Sequence, residues 1–381
     1  MIISQRHLFD IPESIAYFNC AYYSPLLRES TSRLHVGVES KSHPWERIPA
    51  DFFDDAEKIR QLSADLFGGS SDSFAVIPSA SYGISTASRI IEPSLKKEDG
   101  ILVIEEEFPS VVLPLKRIAL EKGARLITVA IPENGNWTQA IKEKLDHKVR
   151  VVAVSSCHWT NGAYIDLLEI RKACDEINSI LIVDATQTLG ALPISIDTVR
   201  PDFLVAAGYK WLLGPYGFGL FYVAEKWRNE RPLEETWIAR KNAEDFAGLV
   251  KYTDAYMPGS RRFEVGEKCA PTILPGAIAS LEQIKKWGIV EIANSLAIMN
   301  EKIVRHLEKL EFTLPDKKQR SPHMFGAAIP KHYKGNLVNE LKERKIYISQ
   351  RGDAIRFSPH LYNDDHDVDR LQKTLNELIG K

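Results

Sequence analysis

Cysteine is scarce in this chain of 381 residues: Cys20, Cys157, Cys174 and Cys269 are the whole supply. They form no C-x-x-C pair, so the usual signatures of a zinc site and of a dithiol redox centre are missing, and they are too sparse for a disulfide framework. The reading is four reduced thiols and no metal site. Surplus charge is lacking as well. Lys and Arg number 49 against 51 Asp and Glu, and a formal net charge of -2 argues against gripping a polyanion, hence against nucleic-acid binding as the main task. No apolar run approaches the ~18–20 residues that cross a bilayer, and MIISQRHLFDIPES has no basic start followed by a long apolar core. The expectation is a cytoplasmic protein without a membrane span. Two nucleotide signatures are also absent: there is no Walker lysine motif, and GPYGFG (214–219) does not open a helix after the first strand as the dinucleotide fingerprint does.

What the chain does have is 44% hydrophobic and 26% charged residues, the profile of a globular protein long enough for two domains. From about residue 52, helical periods alternate with short β-branched runs, the rhythm of βαβ units. FAVIPS, ILVIEEE, ARLITVAI, VRVVAVSS, ILIVDA and FLVAAG are continuous apolar runs and not alternating ones, which predicts strands covered on both faces of a mainly parallel sheet. A seventh run, GFGLFYV, follows FLVAAG through a loop alone, so that pair is expected to be antiparallel. Beyond residue 260 two long helical stretches, ILPGAIASLEQIKKWG and EIANSLAIMNEKIVRHLEKL, precede the strands MFGAAIP, KIYISQ and AIRFS and a closing helix. The expected α/β architecture is a large domain over 17–260 and a smaller α+β domain over 261–381 that takes in residues 1–16, with a cleft between them.

Ligands of open parallel sheets bind beyond the carboxyl ends of the strands, and three such ends carry polar residues. In ILIVDATQ, Asp184 follows four aliphatic residues, where an ionised carboxylate is costly unless a cation or several donors meet it. In FLVAAGYKW, Lys210 follows a strand and precedes Trp211-Leu212-Leu213; desolvation there lowers the amine toward the range useful for a Schiff base. In FAVIPSASYGIST, Ser79, Ala80, Ser81 and Gly83 stand at the expected start of a helix, whose exposed N–H groups suit a phosphate. Taken singly, each has a bland alternative: a turn-capping Asp, a snorkelling Lys, an ordinary Ser-rich cap. Together they meet the needs of pyridoxal 5'-phosphate, which asks for an amine, a carboxylate beside the pyridine nitrogen and a phosphate anchor.

At this point the chain resembles the class V aminotransferases of fold type I, which include cysteine desulfurases, isopenicillin-epimerase-like proteins and kynureninases. The likeness runs through YFNCAYYSPL (17–26), SASYGIS (79–85), EEEFPS (105–110), SSCHWTNGAYIDLLEI (155–170), VDATQTLGALPISI (183–196), DFLVAAGYKWLLGPYGFGLFYV (202–223), RFEVGE (262–267) and IRFSPHLYN (355–363). The resemblance implies a large domain with a mainly parallel seven-stranded sheet and a smaller α+β C-terminal domain. It implies that Lys210 carries the Schiff base, Asp184 pairs with the pyridinium, Gln187 and His158 reach the cofactor's phenolic region, and Phe108 stacks on the ring. Ala80, Ser81 and Tyr209 would contact the phosphate, and Arg356 would hold the substrate carboxylate, with Asn19 and Tyr22 bordering it. Gly266 would reach the neighbouring site in a homodimer with shared active sites. Two departures stand out: Glu267 replaces what is commonly a small hydroxyl residue, and Ala207 stands where desulfurases often have serine.

The implied function is a PLP-dependent enzyme acting on a small amino acid, with transamination the first choice. C–S or C–C lyase, desulfurase-like or epimerase chemistry stands behind it, and a non-catalytic binding protein is a further alternative. Desulfurases also need a nucleophilic cysteine shortly before the carboxylate-binding arginine. KERKIYISQRGDAIRFS (342–358) contains none, so desulfuration through an enzyme persulfide is expected to be absent.

Overall fold

The structure is a computed structural model that describes residues 1–380. In chain order, a two-residue strand β1 (Ala16–Tyr17) is followed by α1 (Arg28–Ser42) and α2 (Asp54–Phe67). The sheet-forming part then runs β2 (Phe74–Ile77), α3 (Ala80–Ile91), β3 (Gly100–Ile104), α4 (Pro109–Lys122), β4 (Arg125–Val129) and α5 (Trp137–Glu143). It continues with β5 (Val149–Ser155), α6 (Leu167–Glu176), β6 (Ile180–Asp184), α7 (Ile196–Val199), β7 (Phe203–Ala207) and β8 (Gly219–Val223). Seven of these strands form one sheet in the order β2-β8-β7-β6-β5-β3-β4. Strands β3 to β7 pair in parallel, and β8 runs antiparallel to both β7 and β2, as a connection made only of a loop requires. Residues alternate between the two faces and are buried on both, with Leu102, Val152, Leu181 and Leu204 in one core and Ile101, Val151, Ile182 and Val205 in the other. This is the doubly covered, mainly parallel sheet of fold type I.

The remaining elements are α8 (Leu274–Trp287), α9 (Ile289–Lys309), β9 (Phe325–Ala328), α10 (Leu337–Glu343), β10 (Ile346–Tyr347), β11 (Ser349–Arg351), β12 (Ala354–Phe357) and α11 (Asp365–Ile379). KIYISQ, expected as one strand, is two, because it changes partner midway. β10 pairs in parallel with β1, whereas β11 joins the antiparallel sheet β11-β12-β9. Ala16 and Phe18 share a core with Ile303, Leu307, Phe325, Ile355 and Leu371, while Phe9, Cys20 and Ala21 enter the core under the large sheet, so the N-terminal segment contributes to both. From helix α8, Leu274, Ala277 and Leu281 join the core under the large sheet, and α9 feeds both cores, with Ile292 and Leu296 in the first and Ile303 and Val304 in the second. Periodicity marks these stretches as helices but does not say which core their apolar faces enter. Among the described residues, no helix is long and apolar enough to cross a membrane.

Helix α1 has no counterpart in the sequence reading, and its packing shows why. Its buried residues are Ser30 and Gly37, so it presents no apolar stripe. It packs on α8 by lacking side chains: a Cβ on Gly37 would lie 1.8 Å from the Pro271 carbonyl oxygen, and one on Gly276 2.7 Å from Leu34 Cγ. Ser30 donates to the Gly276 carbonyl at 3.0 Å across the same seam. Gly37→Ala is therefore expected to destabilise the protein by about 1–3 kcal/mol by overpacking, although helix propensity alone favours alanine by about 1 kcal/mol. Denaturant unfolding of this variant beside Glu39→Ala, on the exposed side of the same helix, reads the sign; a more stable Gly37→Ala protein would refute the tight seam.

Candidate active site

Strands β5, β6 and β7 end at one edge of the sheet, where Ser155 is the register partner of Asp184 and Asp184 that of Val205. A cavity of about 210 Å³ opens there, bounded by the start of α3, the end of β6 and the loop after β7. Gly83 sets the approach of α3, since a Cβ there would lie 2.6 Å from Val205 Cγ1. Ser79 caps the helix, accepting from the Tyr82 N–H at 3.2 Å, and its hydroxyl lies 2.8 Å from that of Ser81. Ala80 and Ser81 line the cavity on the first helical turn, where free N–H groups and the helix dipole favour an anion.

Lys210 and Asp184 face this cavity from buried positions, with Lys210 8% exposed. Burial lowers the Lys210 amine to about 8; the Asp184 carboxylate opposes that shift, and the guanidinium groups of Arg356 and Arg351 add to it. Its Nζ stands 5.6 Å from the centre of the Phe108 ring and 5.7 Å from that of Tyr209. Burial also pushes the Asp184 carboxyl up, against hydrogen bonds from Thr186, whose N–H reaches Oδ1 at 2.8 Å. The two groups make no ion pair with each other, so a cation beside Asp184 and a carbonyl carbon beside Lys210 would each find a partner.

Of the other expected residues, Phe108, Gln187 and Tyr209 line the cavity, whereas Arg356, Asn19 and Tyr22 do not. Gln187 is held at both ends, its Nε2 donating to the Ala21 carbonyl at 3.2 Å and its Oε1 accepting from Trp211 Nε1 at 2.9 Å. Tyr209 packs between Tyr23 and Tyr216, with ring centres 5.4 and 4.8 Å away. Arg356, on β12, is 1% exposed; its Nη1 donates to the Trp159 carbonyl at 2.5 Å, while Nε and Nη2 have no protein acceptor. A buried guanidinium edge with two free donors suits a carboxylate. Asn19 is buried with an unpartnered Oδ1, and Tyr22 is 56% exposed.

His158 is not brought to the cavity. It lies beneath the edge, stacked on Trp137 at 5.3 Å, with Nδ1 2.7 Å from Thr160 Oγ1 and Nε2 3.2 Å from the Glu105 carbonyl. The next residue, Trp159, lines the cavity in its place, its ring edge-on to Phe108 at 5.5 Å and its Nε1 donating to the Glu106 carbonyl at 2.7 Å. Gly266 also lies outside the cavity of its own chain, where its N–H donates to Glu234 Oε2 at 3.0 Å. Glu267 is exposed and does not line the cavity. Ala207, without a side-chain hydroxyl, lines the cavity beside Thr186, whose Oγ1 accepts the Ala207 N–H at 3.1 Å.

Glu107 was legible only as part of a run of three glutamates. Glu106 adopts a left-handed φ of 55°, and the chain reversal turns the next side chain inward. Glu107 accepts from the Ser155 hydroxyl at 2.6 Å, the Ser155 N–H at 3.0 Å and the Phe108 N–H at 2.8 Å, fixing the aromatic ring and the strand beside Asp184. Burial raises its carboxyl to about 7; hydrogen bonds from Ser155 oppose the shift and the charge of Asp184 adds to it. A carboxyl raised on folding binds its proton more tightly in the native state, so its contribution is present at low pH and is lost as pH rises from about 4.5 through about 7. Glu107→Gln is expected to flatten the fall in Tm across that window, and an unchanged Tm–pH slope would remove Glu107 as its source.

The aminotransferase class-V family model matches residues 37–371. A probable cysteine desulfurase of Pyrococcus abyssi is 26% identical, over 85% of this chain and 83% of its own length. Isopenicillin N epimerase of Streptomyces clavuligerus is 21% identical, over 97% and 96%. Among solved structures, the C-DES protein with glycine covalently linked to its PLP cofactor superposes with a TM-score of 0.88 at 20% identity, covering 98% of this chain and 99% of that one. The apo cysteine desulfurase of Thermococcus onnurineus gives 0.86 at 18% identity, over 100% and 99%. The residues that line the cavity fit pyridoxal 5'-phosphate: Lys210 offers the amine, Asp184 the carboxylate for a protonated ring nitrogen, Phe108 an aromatic face, and the start of α3 the anion site. With the family model spanning most of its length, the chain belongs to the class V aminotransferases and is a pyridoxal-phosphate-dependent enzyme.

Proposed function

We propose that the enzyme is a C–S lyase that eliminates sulfur from the β-carbon of an amino acid, in preference to the transamination that the sequence puts first. The observation that carries the reading is a desolvated Lys210 in the cavity together with a buried Arg356 that keeps two donors free and is held by the carbonyl of Trp159, a residue of the cavity wall. Two relatives add support: one is named a probable cysteine desulfurase, and a structural neighbour is described as a cystine C–S lyase in complex with its product cysteine persulfide. That neighbour superposes with a TM-score of 0.85 at 20% identity.

The cofactor supplies an electron sink for the pair left at Cα when its proton departs. The chain's own groups do the rest. Arg356 binds the α-carboxylate, and burial makes that charge-assisted contact worth more than it is in water. Lys210 Nζ, with a pKa near 8, is neutral in a useful fraction at physiological pH and takes the Cα proton. The Cβ–S bond then breaks with both electrons on sulfur, and water converts the released enamine to pyruvate and ammonia. No enzyme thiol takes part in this scheme. Cys20 and Cys157 are fully buried, and burial pushes all four thiols up, away from thiolate.

A homodimer with shared sites belongs to the same proposal. Gly266 does not reach its own cavity, and Trp237, Phe246, Val250 and Tyr252 expose apolar surface on the segment before it. A fully active monomer would refute this part.

The lyase reading predicts pyruvate and ammonia in equal amounts from a sulfur amino acid, persisting with all four cysteines replaced by serine. Stoichiometric oxo-acid without ammonia would return the assignment to transamination. Lys210→Ala should remain folded but lose the borohydride-reducible bond to cofactor; peptide mapping that finds the label on another lysine would overturn the assignment. Asp184→Asn is expected to keep cofactor and lose turnover by about a hundred-fold or more, since a neutral amide does not stabilise a pyridinium. Arg356→Leu should raise KM by about ten-fold or more with cofactor retained.

A further inference from the structure

Two arginines stand on one face of the hairpin that closes the site. In the β11–β12 register, Ser349 pairs with Arg356 and Arg351 with Ala354, so Arg351 and Arg356 project to the same side. Only one of them is explained by the substrate's α-carboxylate. The Arg351 guanidinium lies 5.8 Å from the centre of the Tyr22 ring and 5.7 Å from that of Trp159, so the two aromatics flank it. Its Nη1 donates to the neighbouring Gln350 carbonyl at 2.7 Å, and no carboxylate among the described residues pairs with it. Trp159 connects the two arginines, accepting from Arg356 through its carbonyl and meeting Arg351 with its ring. Trp159 lines the cavity, so the Arg351 guanidinium over its ring stands beside the site, and its positive charge lowers the pKa of both Arg356 and Lys210.

Arg351 and Arg356 thus both meet Trp159, which lines the same cavity as Lys210, and Asp184 is the carboxylate that raises the Lys210 amine against its burial. An amino acid with a single carboxylate engages Arg356 and leaves Arg351 without a counter-charge. We infer that the substrate carries a second carboxylate, on the sulfur side of the bond that breaks, and that Arg351, held between Tyr22 and Trp159, is its specificity-determining ligand. This rests on the C–S lyase reading above and narrows it to sulfur amino acids with an acidic leaving group. A disulfide diacid and a thioether diacid share that chemistry.

The test uses the cofactor-loaded enzyme and a pair of near-isosteric ligands, S-carboxymethylcysteine and S-carbamoylmethylcysteine, with half-saturation read from the shift in cofactor absorbance. The acid is expected to half-saturate at a concentration about ten-fold or more below that of the amide, the effect of one desolvated charge-assisted contact. Arg351→Gln should bring that ratio below about three, and Arg351→Lys, which keeps the charge but loses the planar fork, should restore part of it. Equal half-saturation of acid and amide in the wild type overturns the inference, as does a ratio that Arg351→Gln leaves untouched. Cystine and lanthionine form the second arm: whichever binds tighter assigns disulfide or thioether, and weaker binding of both than of S-ethylcysteine overturns the inference. Because binding is read separately from pyruvate, acid-selective binding without elimination would sink only the lyase reading. Elimination without acid selectivity would sink only the second-carboxylate site.

Discussion

The penalty for burying charge sorts this molecule's ionised groups into two kinds. Where buried charges meet, they hold structure. Glu264 is fully buried, yet its carboxyl is held below the ordinary value, because Arg60, Lys268 and the Val76 N–H outweigh the burial that acts against them. Arg60 and Arg261 extend that network through Glu57 and Asp72, tying α2 to the segment that carries Gly266. Where buried charges fail to meet, the penalty stays visible as displaced proton affinity. Lys210 is lowered, Asp184 and Glu107 are raised, and Arg356 keeps two donors unused. Of the second kind, Lys210, Asp184 and Glu107 end or follow strands at the carboxyl edge of the parallel sheet, where polar residues gather at a depth that water barely reaches, and Arg356 comes from β12.

The same distinction explains how the site combines rigidity with reactivity. Residues that aim others are saturated: Gln187 between Ala21 and Trp211, Glu107 between Ser155 and Phe108, and Trp159 through both its indole N–H and its carbonyl. Residues that would touch the reactants are not. A catalytic group whose hydrogen-bonding capacity was already satisfied by the protein would have to break a contact before acting, whereas here only the supporting shell is closed.

The sheet could be read from the sequence because strands buried on both faces must be apolar throughout, and the antiparallel turn of β8 followed from a connection too short to cross over. Lys210, Asp184 and Ala80–Ser81 could be read because a polar residue directly after an apolar run has few places to be except the strand edge. What escaped were features set by contacts without a periodic signature. α1 is buried through Ser30 and Gly37, residues that no hydrophobicity pattern picks out. His158 and Trp159 sit in an irregular turn, where one step along the chain exchanges cavity for core and no alternation indicates which of the two faces inward. In EEE, a left-handed residue decided which glutamate turns inward, and only the φ of Glu106 records that.

The pairing of β1 with β10 ties together segments far apart in sequence. Ala16 finds its partner at Ile346, and Phe18 and Cys20 exchange backbone hydrogen bonds with Ser358. The N-terminal segment then lies over the loop after β7, with the Ser24 N–H on the Tyr209 carbonyl and Ala21 holding Gln187. The strands of the large sheet pair with neighbours much nearer in sequence, whereas the segment carrying Asn19 and Tyr22 is held by contacts of long sequence separation, whose closure is entropically the costlier. The residues that offer the amine and the anion anchor are therefore set by local structure, and the cover over them by the association of distant segments.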